Sequence, residues 1–142
     1  MNSNDCDQKF GAINVERVET FKINGIKVDF GDILHVGGAP QGDAVVCWLT
    51  DGRVAVIGRL FSDNFREPQT AIVEIRFRHT NGGFTNPAKR TLSTQGGLVT
   101  SKYVEKVSAA GNFDQVRIVL KVWQHTALGT TTTTLGTRTF TR

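Results

Sequence analysis

Apolar and polar residues alternate with a period of two along much of the chain, the mark of β-strands with one buried face. In TAIVEIRFRH (70–79), Ala71, Val73, Ile75 and Phe77 fall on one side, and Glu74, Arg76 and Arg78 on the other. FDQVRIVLKVW (113–123) repeats the arrangement: Val116, Ile118, Leu120 and Val122 point one way, Gln115, Arg117 and Lys121 the other. RVAVIGRLF (53–61) groups Val54, Val56 and Leu60 around Gly58. A glycine inside a strand marks a bulge or the close approach of another backbone.

Turn chemistry links these runs. ETFKINGIKVDF (19–30) reads as a hairpin about Asn24-Gly25, because both central positions of a type I′ turn need a positive φ. Thr50-Asp51-Gly52 joins AVVCWL (44–49) to RVAVIGRLF, which predicts that these two strands pair antiparallel. LVTSKYVEKV (98–107) is a weaker strand whose pattern also suits a helix. Linkers are expected at 37–43, 62–69, 80–90 and 108–112, and residues 1–12 read as a polar N-terminal tail. Nine of the seventeen residues from Thr126 to Arg142 are threonine. Threonine favours extended backbone, and Leu135 and Phe140 supply apolar anchorage, so 126–142 reads as a terminal strand or arm, with a low-complexity tail as the competing reading. No window sustains a helical period with caps. Eight or nine strands in sequence predict an all-β fold, an antiparallel β-sandwich or flattened barrel in a single domain spanning 1–142.

Composition narrows the class. The 142 residues suffice for one hydrophobic core, and 39% hydrophobic with 21% charged residues excludes wholesale disorder. No apolar run approaches the roughly 18 residues that span a bilayer. The polar start reads as lacking a signal peptide, which leaves the compartment unknown, cytoplasmic or secreted after an unseen leader. The net charge of +4 is split: residues 1–51 hold eight acids and four bases, a balance of −4, and residues 52–142 hold five acids and thirteen bases, a balance of +8. Such a split steers an anionic partner to one side or lets copies of the chain attract one another, unless folding mixes the two halves. Cys6 and Cys47 admit two readings. Cys47 suits a small buried hydrophobe with Cys6 an incidental thiol; a bridge between them would instead close a loop of about 40 residues.

Signatures of catalysis are missing. The chain has no phosphate-cradling glycine loop, no dinucleotide fingerprint and no nucleophile elbow. His35, His79 and His125 are scattered, and Asp43, Asp51 and Asp63 fall at turns, where aspartate caps local backbone. No zinc or calcium spacing and no cofactor motif is present. Trp48 reads as a core residue on the opposite parity from Cys47, and Tyr103 as a rim residue.

The chemistry that remains lies on one face. If strands 70–79 and 113–123 share a sheet, Arg76, Arg78, Arg117 and Lys121 come together on its outer side, with Trp123 and Phe113 on the same parity. Cations beside rings suit an anionic glycan or a single-stranded nucleic acid, although long basic stems also occupy exposed strand faces without any ligand. The loop NGGFTN (81–86) adds Asn81 and Asn86 as hydroxyl-recognising groups. The expectation is therefore a non-enzymatic, lectin-like binding module. Its partner would be a glycan or other anionic or polyhydroxylated ligand, and it would form a homo-oligomer. A structural subunit of a larger assembly, with 126–142 as an exchanged arm, is the first alternative. A single-stranded nucleic-acid binder is the second, and a small barrel enzyme or lipid carrier stands behind these.

Overall fold

A computed structural model describes residues 4–23, 41–63, 69–94, 99–126 and 128–142. Helix α1 (Asn4–Phe10) and a short 3₁₀ turn (Ala12–Asn14) precede eight strands. These are β1 (Val15–Ile23), β2 (Gln41–Leu49), β3 (Val54–Asp63), β4 (Gln69–His79), β5 (Ala88–Thr94), β6 (Val99–Val107), β7 (Phe113–Thr126) and β8 (Gly129–Thr141). They form two antiparallel four-stranded sheets, ordered β1-β2-β3-β6 and β5-β4-β7-β8. The fold is the all-β, sandwich-like single domain that the alternation predicts.

The inward residues of both sheets make one core. Val54, Val56 and Leu60 of β3 meet Ala71, Ile75 and Phe77 of β4 and Val116, Ile118 and Leu120 of β7, with Trp48 among them. Gly58 is buried opposite Ala44, and a Cβ there would collide with the Asp43 carbonyl. The glycine is thus where two strand backbones approach too closely for a side chain.

The central strands of the first sheet, β2 and β3, are buried on both faces, which explains why AVVCWL is apolar at nearly every position. Its second face carries Val45, Cys47, Leu49, Ala55 and Ile57 under Phe10 and Cys6. Cys6 and Cys47 are joined by a disulfide, with Cα atoms 5.7 Å apart. The expected polar tail is therefore, from residue 4 to 10, a helix pinned to the sheet: the wheel of NDCDQKF turns Cys6 and Phe10 inward and leaves Asp5, Asp7 and Lys9 outside.

Other boundaries move as well. Residues 41–43, expected in a linker, begin β2, and residues 88–90 begin β5, a seven-residue edge strand too poor in apolar residues to stand out. The Asn24-Gly25 turn lies outside the described residues, as do 64–68 of the second linker. The described partner of β1 is β2, from Val15 opposite Leu49 to Ile23 opposite Gly42. The threonine-rich segment is a strand of the domain's own sheet, paired with β7 from Gln115 opposite Thr141 to Thr126 opposite Gly129. Asp51 caps the β2–β3 turn as expected. The Arg53 N–H and guanidinium both donate to its carboxylate and hold the carboxyl below its ordinary range.

Candidate functional site

Strands β4 and β7 are direct neighbours, and their register places Arg76 opposite Arg117. Arg78 follows on the same side, opposite Gln115. The two ribbons thus turn their cationic sides outward together, on the outer face of the second sheet. Cβ atoms of directly opposed residues stand about 5 Å apart, and like charges so placed repel. Among the described residues, no carboxylate pairs with Arg76, Arg78 or Arg117. Arg78 donates through Nε to the Gly82 carbonyl at 3.3 Å, and the Arg117 guanidinium carbon lies 4.2 Å from the centre of the Phe84 ring.

Phe84 reaches this place because residues 84 and 85 run back along β4. Phe84 bridges to Arg78, and the Thr85 N–H donates to the Phe77 carbonyl at 2.7 Å. Sequence reasoning singled out the NGGFTN loop for its asparagines and missed its phenylalanine. A lone aromatic between glycine and threonine carries no period, and only the return of the loop shows which residue it covers.

The rest of the expected face divides. Lys121 is not an available cation: its Nζ sits 3.0 Å from Oε1 of the nearly buried Glu74, and Lys89 approaches the same carboxylate to 4.0 Å. Trp123 does point outward, 41% exposed, opposite Thr70 and Thr132. It stands six residues from Arg117, about 20 Å along the strand, so it is no platform for the arginine cluster.

Phe113 contradicts the parity reading. The register slips between Arg78 and His79, so that Gln115 and then Phe113 are paired and Asp114 is passed over. This bulge turns Phe113 into the core, 1% exposed and edge-on to Phe77 at 6.1 Å. Asn81 sits beyond the end of β4, on a cleft at that end of the sandwich, and Asn86 is exposed in the stretch leading to β5. Neither touches the arginines among the described contacts.

Beside the cluster runs a ladder that the composition hinted at without placing. Five exposed threonines of β8, Thr132, Thr134, Thr137, Thr139 and Thr141, lie opposite Trp123, Lys121, Val119, Arg117 and Gln115. Trp48 is a core residue as expected, fully buried, with its Nε1 donating to Glu19 at 3.2 Å. Tyr103 is half exposed, and partial burial together with the nearby Glu105 carboxylate raises its hydroxyl pKa. Among the described residues, no helix is long and apolar enough to cross a membrane. No protein-family model, curated protein or solved structure matches the chain.

Proposed function

We propose that this protein is a non-catalytic binding module for anionic glycans, and that Arg76, Arg78 and Arg117 meet the ligand's sulfate or carboxylate groups. The observation that carries the reading is the register pair Arg76–Arg117, two half-buried like charges held side by side on the outer face of the second sheet, with no described carboxylate paired to either. A sheet that keeps such a repulsion gains when an anion fills it. Guanidinium forks suit planar carboxylate and tetrahedral sulfate alike.

The neighbouring hydroxyls favour a glycan over a nucleic acid. Single-stranded nucleic acids are held by open rings on which bases stack. Here Phe84 is already covered by Arg117, and Trp123 stands far from the cluster. The threonine ladder instead presents hydroxyl groups next to the arginines, where sugar hydroxyls would lie.

Binding to sulfated and uronate-bearing polysaccharides, measured against poly(dT) over a salt series, tests this. Retention on the polysaccharides that weakens with salt and vanishes in Arg76→Ala/Arg117→Ala is the expected result. Tighter binding to poly(dT), or no retention on any charged polysaccharide, would overturn it.

Self-association is the second part of the reading. Strand β8 is a thirteen-residue sheet edge whose one charged side chain is Arg138, whereas β5 carries Lys89 and Arg90, and β6 carries Lys102, Glu105 and Lys106. Edges without charged guards pair with other strands. A dimer by light scattering, converted to monomer by Thr133→Lys, is the expected outcome; a wild-type monomer at high concentration would refute it.

A further inference from the structure

At the end of the sandwich where β4 and β8 finish, next to the arginine cluster, a cleft of about 800 Å³ lies where the β2–β3, β4–β5 and β6–β7 connections meet. Glu16, Thr50, His79, Asn81, Asn112 and Arg142 line it. Its chemistry differs from that of the sheet face. The cleft's guanidinium is fully spent, because Arg142 donates to the carbonyls of Leu49, Gly52, Arg53 and Phe113 and to Oε2 of Glu16. An anion entering here finds no available cation and meets the Glu16 carboxylate.

What the cleft does offer is neutral hydrogen-bonding capacity on a fixed frame. The His79 ring rests on Phe113 with centroids 4.1 Å apart, and it is backed by Gly111, where a Cβ would come within 3.4 Å of Cε1. Asn112 is positioned by the close approach of its amide to Gly52, a glycine with φ of 95°. Among the described residues, the side chains of Thr50, His79, Asn81 and Asn112 make no hydrogen bond, and neither does Oε1 of Glu16. Two carboxamides, a hydroxyl, an imidazole and a carboxylate oxygen supply donors and acceptors together. A sugar hydroxyl is both at once. An apolar ligand would leave these groups unpaired.

We propose that this cleft is a binding site for a neutral sugar or similar uncharged polyol, with Asn81 and Asn112 as its recognising amides. The assignment does not rest on the polyanion reading, which uses other residues and a charged ligand.

The test is titration of ¹⁵N-labelled protein with glucose, galactose, mannose and N-acetylglucosamine in turn, and with a sulfated disaccharide and its neutral parent. Saturable shifts at Asn81 and Asn112 with at least one neutral sugar are expected. Asn81→Ala and Asn112→Ala should each weaken that binding by about tenfold, since each removes paired hydrogen bonds. Arg76→Ala/Arg117→Ala should leave it in place, which separates this site from the polyanion face. Both asparagine side chains are exposed, and the dispersion of the variants' spectra reports that they fold. Three results would overturn the proposal: no saturable shift with any neutral sugar, shifts undiminished in the double asparagine variant, or a stronger cleft response to the sulfated disaccharide than to its parent.

Discussion

The guanidinium carbon of Arg142 lies 5.0 Å from the centre of the Trp48 ring and fastens the two sheets together at that point. Arginine has five N–H donors, and all five are used: Nε on Phe113, Nη1 on Glu16 and Leu49, Nη2 on Gly52 and Arg53. Phe113 begins β7 in the second sheet, whereas Leu49, Gly52 and Arg53 surround the β2–β3 turn of the first. One side chain therefore satisfies carbonyls from both sheets, beside the largest ring in the core.

Arg142→Ala should lower unfolding stability by about 2–4 kcal/mol, because it strands several partly buried carbonyls at once. Arg142→Lys should recover less than half of that, since an ammonium lacks the planar fork. Urea denaturation of the three proteins measures both. A lysine variant as stable as the parent would show that charge, not donor geometry, holds the sheets.

The disulfide closes a loop between residues 41 apart in sequence, and in the chain-entropy picture such a link stabilises by about 4 kcal/mol. Cys6→Ser/Cys47→Ala should lose most of this. It should also release α1 from the outer face, uncovering Val45, Leu49 and Ile57. Guanidinium denaturation and dye binding by the native state report the two effects. Unchanged dye binding would mean that the remaining contacts, Phe10 packing and the Lys9–Glu105 ion pair among them, hold the helix down without the bond.

How far the sequence foretells this molecule depends on whether a feature is periodic. Strands β3, β4 and β7 are legible because their inward residues repeat every second position; parity turns Arg76 and Arg117 outward, while only the pairing of β4 with β7 brings them together. Parity fails where a residue is inserted: the bulge at Asp114 turns Phe113 inward, and nothing in FDQV announces it. Helix α1 is too short to show a period, and its amphipathic wheel becomes visible only once the bond to Cys47 fixes which side faces in. Strand β5 has one large apolar residue, Leu92, and is held by pairing more than by pattern. Arg142 is invisible from sequence for another reason: its partners are almost all backbone carbonyls, which every residue possesses.

Glu74 has a side chain only 11% exposed and depends on Lys121 for its partner. Lys121→Ala should cost about 1–3 kcal/mol, the range for a charged group left without its hydrogen bond. Lys89, at 4.0 Å, is too long a contact to replace it fully. The double variant Glu74→Thr/Lys121→Ala should regain most of the loss, because the stranded charge is then gone. A double-mutant cycle by thermal or chemical melts gives the coupling. Additive losses would show that Lys121 acts through its stem alone.

The register pair Arg76–Arg117 sets binding against stability. Replacing Arg76 by glutamate puts opposite charges at one cross-strand position, a change worth about 0.2–1 kcal/mol in favour of the folded state relative to neutral neighbours, with relief of the arginine repulsion added to it. Arg76→Glu should therefore raise the denaturation midpoint while abolishing retention on a sulfated polysaccharide. The gain should shrink as salt is added, since both positions are only half-buried and within reach of solvent ions. Arg76→Thr should fall between parent and Arg76→Glu in stability and should also bind poorly. An Arg76→Thr variant less stable than the parent at low salt would show that the two guanidinium groups do not repel in the folded protein, and with that the physical ground for an anion site on this face would be lost.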